Sequence, residues 1–241
     1  MIPVIFKSVS KYYNEKKILD DISLEIAENK ITAIIGRSGS GKSTMLKIIN
    51  GLVIPSGGDI KVFEKKIDYK NISELRLQIG YSVQGTALFP HMNIYDNITL
   101  LAKLNKWSDE KIKERCGILM SLVSLLEDFK IKYPFQLSGG EQQRAGICRA
   151  MMLNPKIFLL DEAFGALDPT TKAEIHKELL KIQSTEPRTI VMVTHDLHEA
   201  FRLADKIIVV EKGIIQQTGT KDEIKNSTNE FVKYFVKAQF E

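Results

Sequence analysis

Gly36-Arg37-Ser38-Gly39-Ser40-Gly41-Lys42-Ser43-Thr44 follows directly on the apolar run Ile31-Thr32-Ala33-Ile34-Ile35. It fits the spacing Gly, four free positions, then Gly-Lys-Ser/Thr, in which a loop wraps a chain of phosphates. The glycines let successive backbone N–H groups turn inward with no Cβ in the way. Lys42 supplies a point charge for the β- and γ-phosphates, and the Ser43 hydroxyl can ligate Mg²⁺. Residues 42–50 read as a helix, with Met45, Leu46, Ile48 and Ile49 on its buried side and Gly51 as its stop. Its positive end then faces the phosphates. A Gly/Ser-rich turn is the plain alternative, but it does not account for strand, spacing and helix arriving together. The stretch predicts an α/β fold that binds a nucleotide.

At 241 residues the chain can hold one large α/β domain with an inserted subdomain. Hydrophobic residues at 44% and charged ones at 27% are ordinary for a soluble globular protein, which argues against a disordered chain. The net charge of +4 is small and the basic residues are mixed with acids, so no nucleic-acid partner is expected. The two cysteines, Cys116 and Cys148, lie in helix-like segments and suit a reducing cytoplasm; they offer neither metal spacing nor a disulfide framework. No secretion signal is expected from Met1-Ile2-Pro3-Val4, and no apolar run approaches the ~18 residues of a bilayer span. A membrane role would have to come through a partner.

Upstream of the loop, Val4-Ile5-Phe6 and Ser23-Leu24-Glu25-Ile26 read as short strands. Between them, Tyr12 and Tyr13 are either strand-edge residues or an aromatic face on which an adenine could stack. Downstream, a helix-like piece at 73–78 precedes the strand Ile79-Gly80-Tyr81-Ser82-Val83. Gln84 then stands where α/β sheets hold their ligands, able to reach a metal or a water. The following loop, 85–97, carries Leu88, Phe89, Pro90, Met92 and Ile94 and is apolar enough to face a partner. Residues 98–153 turn helical, with Ser108 as a cap and Trp107 just before it.

Ser138 with Glu141 three residues on forms a capping box, yet the intervening Gly139 and Gly140 weaken a first helical turn. Bare N–H groups there suit an anion as well. Ile157-Phe158-Leu159-Leu160-Asp161-Glu162 is a buried strand ending in two acids: Asp161 can hold Mg²⁺, and Glu162 can orient and deprotonate an attacking water. Asp168-Pro169 opens a helix. A further buried strand ends at Thr194-His195, with His195 poised to sense a γ-phosphate, while His176 and His198 are expected to face solvent. Residues 207–215 read as a closing hairpin, and 231–236 as a short amphipathic helix that docks on the fold.

Taken together, these stretches resemble the ATP-binding subunits of ABC transporters nearly end to end. Leu137-Ser138-Gly139-Gly140-Glu141 is similar to the signature of that family, Gln84 to its Q-loop glutamine, Ala166-Leu167-Asp168 to its D-loop and Tyr13 to its adenine-stacking aromatic. The resemblance implies a phosphate-loop NTPase (RecA-like) core at about 1–83 and 150–215, with an antiparallel β subdomain. It adds an inserted helical subdomain at about 84–149 and a tail at 216–241. It implies ATP and Mg²⁺ as cofactors. Glu162, His195 and Gln84 would be catalytic, and Ser43, Gln84 and Asp161 would lie around the metal. Tyr13, the loop residues Gly36, Ser38, Gly39, Ser40, Gly41, Lys42, Ser43 and Thr44, and Ser138, Gly139 and Gly140 would hold nucleotide. A second copy would cap each site head to tail, transmembrane permease subunits would receive the motion at the cytoplasmic face, and a solute-binding protein would act indirectly.

Ala87-Leu88-Phe89-Pro90-His91, 164–169 and 217–220 liken the chain to importers of quaternary-amine osmoprotectants such as glycine betaine, choline or carnitine. Importers of methionine, molybdate or polyamines, and non-transport ABC ATPases, are the alternatives. The chain departs from the family at Ala163, where Pro is usual and whose loss would loosen the turn. It departs also at Phe135, often His, at Gly85-Thr86 and at Glu141, commonly Gln. Many osmoprotectant ATPases continue into paired regulatory modules; this sequence stops at Glu241, which puts gating through such modules in doubt.

Overall fold

The computed structural model describes residues 2–83, 85 and 87–240. In chain order the elements begin with β1 (Val4–Tyr13), β2 (Lys16–Ile26), β3 (Ile31–Ile35), α1 (Lys42–Ile49), β4 (Gly57–Val62), β5 (Lys65–Lys66), α2 (Ile72–Leu77) and β6 (Ile79–Ser82). Helices α3 (Ile94–Leu104), α4 (Asp109–Leu122) and α5 (Gly139–Met151) follow. The chain then returns through β7 (Ile157–Asp161), α6 (Pro169–Thr185), β8 (Thr189–Val193), α7 (Leu197–Leu203), β9 (Lys206–Glu211), β10 (Ile214–Gly219), α8 (Lys221–Lys225) and α9 (Glu230–Phe240).

The central sheet has the order β10-β9-β3-β8-β7-β6, parallel except for β10 at one edge. Every residue of β3, β7 and β8 is buried, because layers cover both faces of a parallel sheet. Alternation along each strand divides the core in two. Ile31, Ala33, Phe158, Leu160, Ile190 and Met192 pack with α3–α7 and α9. Ile34, Leu159, Val191 and Val193 pack with α1 and the second sheet. That second sheet is antiparallel, ordered β2-β1-β4-β5. In the central sheet β3 sits between β9 and β8: the chain runs from β3 to the edge strand β6, returns through β7 and β8, and crosses over β3 to reach β9. The crevice at its carboxyl end is where such sheets hold ligands.

β1 and β2 run much further than their apolar alternation predicts, into a single hairpin closed at Tyr13↔Lys16 with Asn14 at φ +52°. Irregularities in register between Phe6 and Val9 shift the inward face by one residue, which breaks the period-two signal. α3 likewise begins at Ile94, earlier than expected, because Asn93 caps it by accepting from the Asp96 N–H. Trp107 is half-buried against the core with Lys111 Nζ 3.9 Å from its ring centre. Cys116 and Cys148 are buried core residues; burial pushes both thiols up. α9 docks through Val232, Phe235 and Val236. Among the described residues no helix is long and apolar enough to cross a membrane.

Asn97 pins the apolar loop before α3. Its Nδ2 donates to the carbonyls of Phe89, Met92 and Asn93, each at 3.0 Å, and its Oδ1 accepts from Phe89 N–H at 2.7 Å. Asn97→Ala strands these groups and is expected to cost about 1–3 kcal/mol. A fall in the urea midpoint measures it; an unchanged midpoint would mean the loop is held by other contacts.

Candidate functional site

The loop 36–41 leaves β3 and re-enters at α1, squeezed between two other segments. Gly36 lies so close to β9 that a Cβ would sit 2.0 Å from the Val210 carbonyl oxygen. Gly41, at φ +98°, would drive one to 2.6 Å from the Leu19 side chain and 2.8 Å from the Ile18 carbonyl of β2. Only glycine fits either position. Lys42 folds back under the loop, with Nζ donating to the carbonyls of Gly36 at 2.9 Å and Arg37 at 2.8 Å. Burial holds the Lys42 ammonium below its ordinary pKa, while Glu162, Asp161 and Glu211 pull in the opposite direction. The Ser40 hydroxyl is buried and has no hydrogen-bond partner among the described residues, a vacancy in polar satisfaction that a bound ligand would fill. Ser38 and Gly39 are exposed and Thr44 half-buried on the same face. The Arg37 guanidinium lies 3.9 Å from Glu211, and 5.5 and 5.8 Å from the Phe231 and Tyr234 ring centres of α9.

β7 delivers Asp161 to the same rim, almost fully buried. Its Oδ1 accepts from Ser43 Oγ at 2.7 Å and its Oδ2 from the Tyr81 hydroxyl at 3.1 Å. Burial, and then the Asp161 charge, raise the Tyr81 pKa, so the phenol stays protonated and donates. A hydroxyl and a carboxylate converging at a loop built for phosphates is a hard oxygen set that suits Mg²⁺. Among the described residues no cluster of three or more His, Cys, Asp and Glu side chains could hold a metal by itself.

Glu162 follows at φ +50°, a left-handed backbone uncommon outside glycine and concentrated at functional sites. Its N–H donates to the Val193 carbonyl at 3.0 Å, and its carbonyl accepts from Gln143 Nε2 at 3.0 Å and Gly165 N–H at 3.2 Å. Gln143 Oε1 also accepts from Ala166 N–H at 3.2 Å. These contacts brace the turn that Ala163 was expected to loosen. The Glu162 carboxylate is partly exposed, with Oε2 3.8 Å from Nδ1 of the exposed His195. Ser138 and Glu141 form the expected capping box on α5: both the Ser138 N–H and hydroxyl donate to Glu141 Oε2, at 2.7 and 2.8 Å. The turn Ser138-Gly139-Gly140 is left facing outward.

Lys42, Ser43, Asp161, Glu162 and His195 are thus brought to one rim. Tyr13 stands at the end of β1, half exposed, with Lys11 Nζ 5.0 Å from its ring centre. Gln84 lies outside the described residues. His176, expected to face solvent, is instead buried on α6, with Nε2 3.0 Å from Glu199 Oε1; the amphipathic pattern of α6 is weak, and the Glu199 partner is invisible in a local reading. His198 is exposed as expected. Tyr81 and Gln143, which hold Asp161 and Glu162, are the rim contacts that sequence reasoning missed. Tyr81 could have been suspected as a phenol near the end of a strand that delivers ligands. Gln143 lies two residues beyond the glycine-rich stretch already singled out. A cleft of about 1130 Å³ lies at the amino ends of the central strands, lined by Phe63, Asn154, Lys156 and Arg188, and contains none of the rim residues.

Residues 19–165 match the family model described as ABC transporter. The chain is 47% identical over 232 residues to the glycine betaine/carnitine/choline transport ATP-binding protein OpuCA of Bacillus subtilis, covering 95% of this chain and 61% of that one. Against the choline transport ATP-binding protein OpuBA of the same organism it is 44% identical, with the same coverage. The chain therefore spans about three-fifths of the length of these relatives. It superimposes on a dimeric ATP-binding cassette in a post-hydrolysis state bound to ADP and Pi, with TM-score 0.85 and 33% identity over 90% of this chain and 98% of that one.

Proposed function

This chain belongs to the ABC transporter family, and from that premise we propose that it is the ATP-hydrolysing subunit of an importer for a quaternary-amine osmoprotectant. The observation that carries the catalytic part is the convergence of Lys42, Ser43 and Asp161 beneath the loop with Glu162 and His195 above it. Lys42 and the amides at the start of α1 bind the phosphates, and Tyr13 offers its exposed ring to the adenine. Ser43 and Asp161, with Gln84, would hold Mg²⁺, which when bound neutralises charge building on the phosphate oxygens. Glu162 accepts a proton from the attacking water, and His195 orients toward the γ-phosphate. The glycine betaine, carnitine and choline named for the relatives support the substrate class.

The assembly we propose is a head-to-tail pair in which Ser138, Gly139 and Gly140 of one copy close the site of the other. The outward Ser138-Gly139-Gly140 turn, already satisfied by its own capping box, supports this reading. In the same scheme residues 84–149 form an inserted helical subdomain between the core segments 1–83 and 150–215. The loop around Phe89, 40% exposed, meets the permease subunits that hold the protein at the cytoplasmic face. Mass measurement in solution tests the pairing: with Mg²⁺ and ATP, the Glu162→Gln protein is expected to double its mass. Persistence as a single copy under saturating nucleotide would overturn it. Uptake of labelled glycine betaine into vesicles carrying the reconstituted importer tests the cargo.

A further inference from the structure

Behind the rim lies a chain of buried polar groups that the scheme above does not use. His176 on α6, Glu199 on α7 and Thr194 at the exit of β8 are each more than nine-tenths buried. His176 Nε2 is 3.0 Å from Glu199 Oε1, and the Thr194 hydroxyl donates to Glu199 Oε2. The same hydroxyl accepts from Asp196 N–H at 3.0 Å. Lys172 holds the far side of the turn, with Nζ 2.7 Å from Asp196 Oδ2 and 3.9 Å from Glu199 Oε1. The three-residue turn that carries His195 is therefore fixed at both ends, while the His195 side chain itself projects into solvent. On its other face the His176 ring meets Phe164 edge-on, centroids 5.0 Å apart at 80°. Phe164 is buried two residues beyond Glu162. One histidine thus touches the segment that carries His195, through Glu199 and Thr194, and the segment that carries Glu162, through Phe164.

A buried carboxylate is costly to desolvate, and an apolar filling of the same volume would pack as well, so this network adds little stability for its expense. What it adds is a second, side-chain tie between two turns that the Glu162 N–H to Val193 carbonyl hydrogen bond joins only at their base. We propose that His176, Glu199 and Thr194 are positioning residues that set the His195 turn against the Glu162 turn. The proposal rests on the hydrolytic reading only for its effect on turnover.

Thr194→Val keeps shape and removes the hydroxyl; it is expected to lower kcat by about 10-fold or more, with KM for ATP within about 2-fold, since misplacement costs rate rather than binding. His176→Leu should do the same, and His176→Gln, which keeps a donor toward Glu199, should recover most of the loss. In a His195→Ala background, Thr194→Val should cause no further loss of turnover, although it lowers Tm equally in both backgrounds. An equal fractional loss in both backgrounds means packing alone and overturns the proposal, as does a wild-type kcat. NMR of histidine-labelled protein gives a readout independent of activity: the His195 ring signals should shift in Thr194→Val and His176→Leu. Unmoved signals overturn the positioning role whether or not ATP is cleaved. A wild type without turnover but with shifted signals overturns only the hydrolytic reading.

Discussion

Glu162→Gln is expected to cut ATP turnover by ~10²-fold or more while leaving nucleotide affinity near that of the parent protein, the size of loss usual for a removed general base. Gln is the same size as Glu and retains an acceptor, so the left-handed turn is preserved. That turn is set by backbone contacts to Val193, Gln143 and Gly165, none of which involves the carboxylate. Only the capacity to take a proton is lost. Single-turnover hydrolysis measured beside a binding titration separates the two quantities. Normal hydrolysis in the variant would remove Glu162 from the chemistry.

Lys42→Ala is expected to weaken ATP binding by about 10²-fold, enough to lose nucleotide on gel filtration, since a hydrogen bond to a charged group contributes roughly 1.5–3 kcal/mol. A second effect adds to the missing charge. Nζ ties together the carbonyls of Gly36 and Arg37, so its removal also slackens the loop that presents the amides. A fluorescent-nucleotide titration reads the loss. Lys42→Met, which keeps most of the buried stem but not the donor, should recover the part of the thermal stability lost with the stem and none of the affinity; unchanged affinity in both variants would contradict the phosphate-cradle reading.

What the sequence made legible was local. The phosphate loop, the caps at Ser108, Ser138 and Asp168, and the acids at the end of β7 depend on neighbours within a few residues. The central strands were readable because a parallel sheet buried on both faces makes each strand apolar throughout. The contacts that shape the site were not readable, because their partners are remote: Tyr81 reaches Asp161, Gln143 reaches Glu162, and His176 reaches Glu199. A histidine in a helix looks the same from sequence whether it meets water or a buried carboxylate. β1 and β2 were underread for another reason, since the bulges that bend them toward the loop also scramble their alternation.

The squeeze on the loop makes nucleotide recognition a property of the finished fold. Ile18 and Leu19 press on Gly41, Val210 presses on Gly36, and Gly213 donates its N–H to the Ser40 carbonyl while accepting from Asp20 N–H. Three stations nearly two hundred residues apart along the chain must therefore dock before a cradle exists. A fragment ending short of the last hairpin would carry every residue of the motif and still offer the ligand an unformed pocket. Conversely, ligand that selects only the completed structure stabilises the antiparallel sheet and the far hairpin together by mass action, so both would melt later and in step when it is present.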